Sequence, residues 1–150
     1  MNRFFIEKEV NKLIKKYQTR DPIKISKQKG IIVLYEDLGQ IYGYYNKVNQ
    51  IKFIHINKNL SFCKQGFTTI HELGHCVMHP NENTPKLSQQ SLRSEIMIEA
   101  EANYFATRFI IDGSHLDHHL IDIYSIMDFY GLPHEMEYFA KMIIKNHFSH

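Results

Sequence analysis

Thr68-Thr69-Ile70-His71-Glu72-Leu73-Gly74-His75-Cys76-Val77-Met78-His79 is the stretch on which the reading of this chain turns. It contains His-Glu-x-x-His, with two histidines four residues apart. On an α-helix such residues share a face, one turn apart. His71 and His75 then offer two imidazoles to one point. Two such nitrogens can grip a single metal ion, and Zn²⁺ accepts nitrogen ligands in a tetrahedral arrangement. Glu72 follows the first histidine directly, where metal-assisted hydrolysis requires a general base. The pattern is that of a zinc-dependent peptidase.

The chain holds 10 histidines in 150 residues, so chance alone returns this motif often enough that an independent second feature is needed. A plain alternative also exists: Thr69-x-x-Glu72 matches a capping box, in which Glu72 would only satisfy backbone donors at a helix start. That alternative leaves both histidines unexplained. The second feature is Glu99-Ala100-Glu101-Ala102-Asn103. A catalytic zinc takes three protein ligands and keeps a fourth position for water, and Glu99 supplies the third. Asn103, four residues on and on the same helical face, is placed to hydrogen-bond a ligating imidazole and fix its tautomer. Glu101 lies 200° round the helix from Glu99, so the two do not share one ion. Taken alone, Glu95, Glu99 and Glu101 read as a solvated helix face; paired with the first motif, the ligand reading prevails.

Phe67-Thr68-Thr69-Ile70-His71-Glu72-Leu73-Gly74-His75, then His79, then Glu99-x-Glu-Ala-Asn103-x-Phe105-Ala106, resembles the ImmA/IrrE family of metallopeptidases over roughly residues 30 to 111. The resemblance implies a zinc peptidase of the thermolysin-like lineage, with His71, His75 and Glu99 as ligands and Glu72 as base. It also implies a substrate, a helix-turn-helix repressor of a phage or mobile element, whose cleavage releases silenced genes. An edge strand lining the metal cleft is a further implication, and the strand just before the metal helix is the candidate. Where many relatives end the second motif's helix with an apolar residue, Met and Pro, this chain has Ile111-Asp112-Gly113, which leaves the following loop open.

Length and composition fit one domain over residues 1–150 with a sizeable core. The apolar share of 43% and charged share of 23% are those of an ordinary globular chain. A net charge of +2 without a dense basic run gives little reason to expect nucleic-acid binding. Two cysteines, Cys63 and Cys76, make no disulfide framework and point to a reducing cytoplasm. No signal peptide or membrane-length apolar run is visible.

Ile6, Val10, Leu13, Ile14 and Tyr17 have helical spacing, and Asp21-Pro22 opens a short second helix ending near Gly30. Ile31–Tyr35, Ile41–Tyr45 and Ile51–Asn57 read as three short strands in an antiparallel meander. With helices covering one face of this sheet, the fold class is α+β. Gly66 is expected just before the metal helix and Pro80 just after it. Residues 81–90 read as a polar surface loop, and a ligand-bearing helix is expected over about 94–111. The remainder, Leu120 to His150, reads as two helices broken at Gly131-Leu132-Pro133. Peptide hydrolysis needs a donor for the developing oxyanion, and Tyr104, His115, His118 and His119 are the candidates. His79 is too far along the helix to share the ion with His71 and reads as supporting or packing. Two other functions stay open: a non-hydrolytic binding module that acts on the repressor, and a toxin or general protease partnered with an antitoxin.

Overall fold

The computed structural model describes residues 1–149. It is α+β, with a four-stranded mixed sheet and six α-helices. Helix α1 (Arg3–Tyr17) is capped by Asn2, whose side chain accepts from the Phe5 amide, and it buries Ile6, Val10 and Leu13. Helix α2 (Pro22–Gln28) begins as its sequence dictates: the Asp21 side chain caps it and proline occupies the first turn.

Strands β1 (Ile32–Glu36), β2 (Ile41–Val48) and β3 (Ile51–Asn57) follow. They do not form the expected antiparallel meander. The sheet order is β1-β3-β2-β4, and β1 runs parallel to β3. β2 and β3 do form the tight antiparallel hairpin. β3 carries the fully buried Ile54 and Ile56, while β1 is largely exposed. β3 takes an interior position, where both of its edges are bonded, and β1 is left at the outer edge of the sheet. The expectation that β3 forms the edge lining the cleft therefore fails, since β1 and β2 occupy its two sides. A fourth strand, β4 (Leu87–Ser88), lies within the stretch read as a surface loop and pairs with Ile41 and Gly43 of β2. Beyond Gly43 the outer edge of β2 has no strand partner among the described residues.

Helix α3 (Phe62–Met78) covers the sheet and carries the His-Glu-x-x-His motif. Its N-cap is Ser61, so Gly66 lies inside the helix rather than before it, and the capping-box alternative fails. Thr69 instead donates its hydroxyl to the Gln65 carbonyl, 2.7 Å away in mid-helix. The helix stops at His79, the residue before Pro80, as the steric restriction on that position requires. Gly43 permits the close approach of β2 to α3, because a Cβ there would lie 2.6 Å from Thr68 Cγ2 and 2.5 Å from the His55 carbonyl oxygen.

Helix α4 (Met97–Ile110) starts later than expected, after a short 3₁₀ turn at Ser91–Arg93. After Ile111 the chain enters a 3₁₀ turn at Ser114–His118. Helices α5 (Ile123–Tyr130) and α6 (Glu137–His147) follow with Gly131 as the C-cap of α5, matching the expected break; His150 lies outside the described residues. No helix among the described residues is long and apolar enough to cross a membrane. Cys76 is buried in the core and Cys63 is exposed, and both are free thiols.

Candidate metal centre

The interface between α3 and α4 determines where the motif residues meet. Gly74 faces α4, and a Cβ there would lie 2.9 Å from Phe105 Cδ1. With no side chain at that point, the two helices close up and the first turn of α4 comes alongside the histidines. His75 Nε2 lies 2.7 Å from Glu99 Oε1. His71 Nε2 lies 3.6 Å from Glu99 Oε2 and 3.9 Å from Glu72 Oε2. The two imidazoles meet edge to face, with ring centroids 4.8 Å apart. One ligand atom from each of His71, Glu72 and His75 lies within 4.8 Å of the others. All of this is sealed from solvent: His71, Glu72 and His75 are 0% exposed and Glu99 is 1%.

The donor set fits a metal. Both nitrogens of His71, both oxygens of Glu72 and Glu99 Oε2 are buried without a hydrogen-bond partner, although buried polar groups are ordinarily satisfied. A tetrahedral ion with bonds of about 2.0–2.1 Å holds its ligand atoms about 3.3–3.4 Å apart. The His75–Glu99 and His71–Glu99 separations of 2.7 and 3.6 Å bracket that value. Two imidazoles and a carboxylate are also the ligand chemistry of a catalytic zinc.

Burial and neighbouring charge set the protonation of these groups. Burial pushes the Glu72 carboxyl up to about 8, helped by Glu99 and opposed by His71. Burial also drives His75 down to about 4, despite the Glu99 carboxylate beside it. Glu99 is pushed up by burial, but its contacts with His71 and His75 outweigh that and hold it down at about 2. For His71 burial acts downward, and the Glu99 and Glu72 carboxylates outweigh it and raise the ring. A cation among these groups would draw the Glu72 carboxyl back down.

A peptidase family model described as the IrrE N-terminal-like domain matches residues 26–139. The chain belongs to the ImmA/IrrE family. It is 37% identical over 107 residues to "Uncharacterized immunity region protein 2" of Bacillus phage phi105, a match spanning 71% of this chain and 68% of that protein. It is 33% identical over 114 residues to "Metallopeptidase ImmA" of Bacillus subtilis (strain 168), spanning 75% of this chain and 66% of that protein. Membership in this metallopeptidase family implies a metal, and the buried His-Glu-His group is where this chain offers one a place.

The other sequence candidates fall in different places. Asn103 is buried beside the site and favours protonated His71. No hydrogen bond joins the two, however, and His71 Nδ1 and Asn103 Oδ1 are each left without a partner. The Asn103 amide reaches only the Ser91 carbonyl, at 3.5 Å. Tyr104 turns the opposite way from the motif: its hydroxyl donates to Glu7 on α1 at 2.6 Å, and its ring packs on Phe139 of α6. His115 is buried against Tyr130 and Phe148, with Nδ1 2.7 Å from the Tyr130 hydroxyl. His118 packs on Phe129, and His119 caps the 3₁₀ turn in the left-handed conformation. None of these four is placed beside Glu72 by the contacts it makes. Glu101, excluded from the ion by helical geometry, instead lies 3.2 Å from His79 Nε2. The spacing of His79, four residues beyond His75, is the signal that could have paired it with that ring; nothing in the sequence pairs it with Glu101.

Two large grooves mark the surface. A polar one of about 660 Å³ runs between the free stretch of β2 and residues 80–86. An apolar one of about 650 Å³ is lined by Phe62, Phe67, Ile70 and Tyr130, among others. Neither groove is lined by His71, Glu72, His75 or Glu99.

Proposed function

We propose that this chain is a zinc-dependent endopeptidase that cuts a helix-turn-helix repressor of a phage or mobile element at one site and so relieves repression. The observation that carries the reading is the buried cluster of His71, Glu72, His75 and Glu99, with its unpaired polar atoms, in a chain of this family. His71 Nε2, His75 Nε2 and Glu99 would hold the ion. Zinc bound there supplies a Lewis acid that polarises a peptide carbonyl and makes water nucleophilic at neutral pH. Glu72 has both carboxylate oxygens free to accept the proton of the attacking water and hand it to the leaving amine nitrogen. Its burial suits it to hold that proton between the two transfers. Asn103 Oδ1, a free acceptor beside His71, can accept a hydrogen bond from Nδ1–H and so leave Nε2 bare for the metal. An extended substrate can pair its main chain with the open edge of β2.

The choice of substrate rests on the relatives. One is named for a phage immunity region and the other is named a metallopeptidase. The test is to incubate the zinc-loaded protein with the repressor encoded beside it and identify the products by mass spectrometry. One discrete cut is expected, and Glu72→Gln should keep its metal while cutting about 10²–10⁴-fold more slowly. Many cuts would indicate a general protease, and a stable complex without cuts would indicate a binding module. Undiminished cleavage by Glu72→Gln would refute the role given to that residue.

A further inference from the structure

His79 closes α3 as its C-cap residue, and its ring turns back onto His75. The Nδ1 atoms of the two rings lie 3.1 Å apart. On its other side His79 Nε2 lies 3.2 Å from Glu101 Oε1, and His75 Nε2 lies 2.7 Å from Glu99 Oε1. Glu99, His75, His79 and Glu101 thus stand in a line joined by three contacts of hydrogen-bond length. The line runs from the fully buried His75 to side chains of His79 and Glu101 that are only 10% and 15% exposed.

Each of these contacts needs one proton. A carboxylate only accepts, and a neutral imidazole carries a single N–H. Two neutral rings between two carboxylates therefore supply two protons for three bonds. With His75 Nε2–H donating to Glu99, its Nδ1 must accept from His79 Nδ1–H. His79 Nε2 is then bare and faces a carboxylate oxygen, lone pair to lone pair. A cation held by Glu99 and His75 would stand in for the missing proton. His75 Nδ1–H then donates to His79 Nδ1, His79 Nε2–H donates to Glu101, and every contact is satisfied.

We propose that Glu101 and His79 form a positioning relay that holds His75 in the Nδ1–H tautomer, with Nε2 bare toward the metal. The relay rests on the metallopeptidase reading. Glu101 dictates the tautomer of His79, and His79 dictates that of His75. Carboxylate–histidine pairs that support a ligand in this way raise its basicity and fix its ring; here a second imidazole extends the pair by one member.

Zinc affinity measured by competition with a chromophoric chelator tests this without relying on activity. His79→Ala and Glu101→Ala should each bind zinc about 10–100-fold more weakly than wild type. His79→Asn should recover most of the loss, because its Oδ1 stands where Nδ1 stood and accepts from His75 unaided. Glu101→Ala in the His79→Asn background should then change nothing further, an outcome that a merely structural role for Glu101 would not produce. Long-range ¹H–¹⁵N spectra of the zinc-loaded wild type should show His79 protonated at Nε2 and His75 at Nδ1. Should His79→Ala fail to fold, Glu101→Ala and the spectra decide. Unchanged affinity in Glu101→Ala, an equal loss in the His79→Asn background, or His79 protonated at Nδ1 would each overturn the relay. A wild type that takes up no zinc would overturn the metallopeptidase reading and the relay together. Tight wild-type zinc with unaffected variants would overturn the relay alone.

Discussion

Replacing Gly74 by alanine would place a methyl carbon 2.9 Å from Phe105 Cδ1 and 3.1 Å from Phe105 Cγ. Relaxed carbon contacts lie at about 3.5–4.0 Å, so α3 and α4 must part locally by about 0.6–1 Å or Phe105 must leave its rotamer. Phe105 is fully buried and stacked on Phe109, which leaves it little room to yield. Alanine favours the helix itself by about 0.8–1.0 kcal/mol over glycine. Overpacking of this kind costs about 1–3 kcal/mol. The metal-free protein should therefore lose up to about 2 kcal/mol. The effect on the metal site should be larger in proportion. Ligand distances tolerate about 0.2 Å of error, and parting the helices by several times that amount carries Glu99 away from His71 and His75. Zinc affinity should fall on the order of tenfold or more, as it does when a ligand's support is lost. Urea unfolding of the metal-free protein and chelator competition on the folded protein measure the two effects separately. A variant more stable than wild type, with unchanged zinc affinity, would refute the claim that this close helix approach sets the site.

Elemental analysis should find about one zinc per chain in wild type and far less in Glu99→Ala, since a two-histidine site lacks the third protein ligand; no metal in either would undercut the peptidase assignment. Glu7 is pushed up by burial, but hydrogen bonds from Tyr104 and Arg108 outweigh that and hold it below its ordinary 4.5. Its contribution to stability is therefore full above that value and fades as pH falls through the lower, folded-state value. Glu7→Gln should flatten the acid limb of urea midpoints taken between neutrality and strong acid, and an unchanged limb would remove Glu7 from the account. Gly43→Ala should destabilise by about 1–3 kcal/mol, because the added methyl meets the His55 backbone as well as the Thr68 side chain; a melting temperature equal to wild type would show that β2 can shift away from α3 at little cost.

The helical part of this fold could be read from sequence because each signal is local. The period of Ile6, Val10 and Leu13, the Asp21-Pro22 helix start and the four-residue spacing of His71 and His75 all act within one or two turns. The sheet order could not be read, because it depends on which strand wins the interior. β1 and β2 are separated by a short turn and look like a hairpin, yet β3 inserts between them and pairs with both. β4 has only two residues, pairing through Leu87 and Ser88, too short for any alternation to show. At the site, residues on one helix face were predictable and contacts across helices were not. Tyr104 stands next to Asn103 in sequence, but one residue is 100° of helix, and the hydroxyl ends at Glu7 on α1. Helical geometry separates Glu101 from Glu99, but the link of Glu101 to His79 depends on how α3 ends against α4.

The energetics of the cluster argue that it is built to hold something. Both nitrogens of His71, both oxygens of Glu72, Glu99 Oε2 and Asn103 Oδ1 are buried without hydrogen-bond partners. A buried group left unsatisfied costs about 1–3 kcal/mol, so several in one place rival the whole stability of a domain, about 5–15 kcal/mol. Core packing offers no return for that: apolar side chains of similar volume would fill the same space without the penalty. Metal binding does offer one, since apparent binding energies at structural zinc sites reach about 10–16 kcal/mol. The line of two rings between two carboxylates leads to the same place by counting protons rather than energies, because it lacks one proton that a cation replaces. The groups that a fold would least readily bury are thus the groups that a bound cation would satisfy, and the dry surroundings that penalise them when empty strengthen their hold on charge when filled.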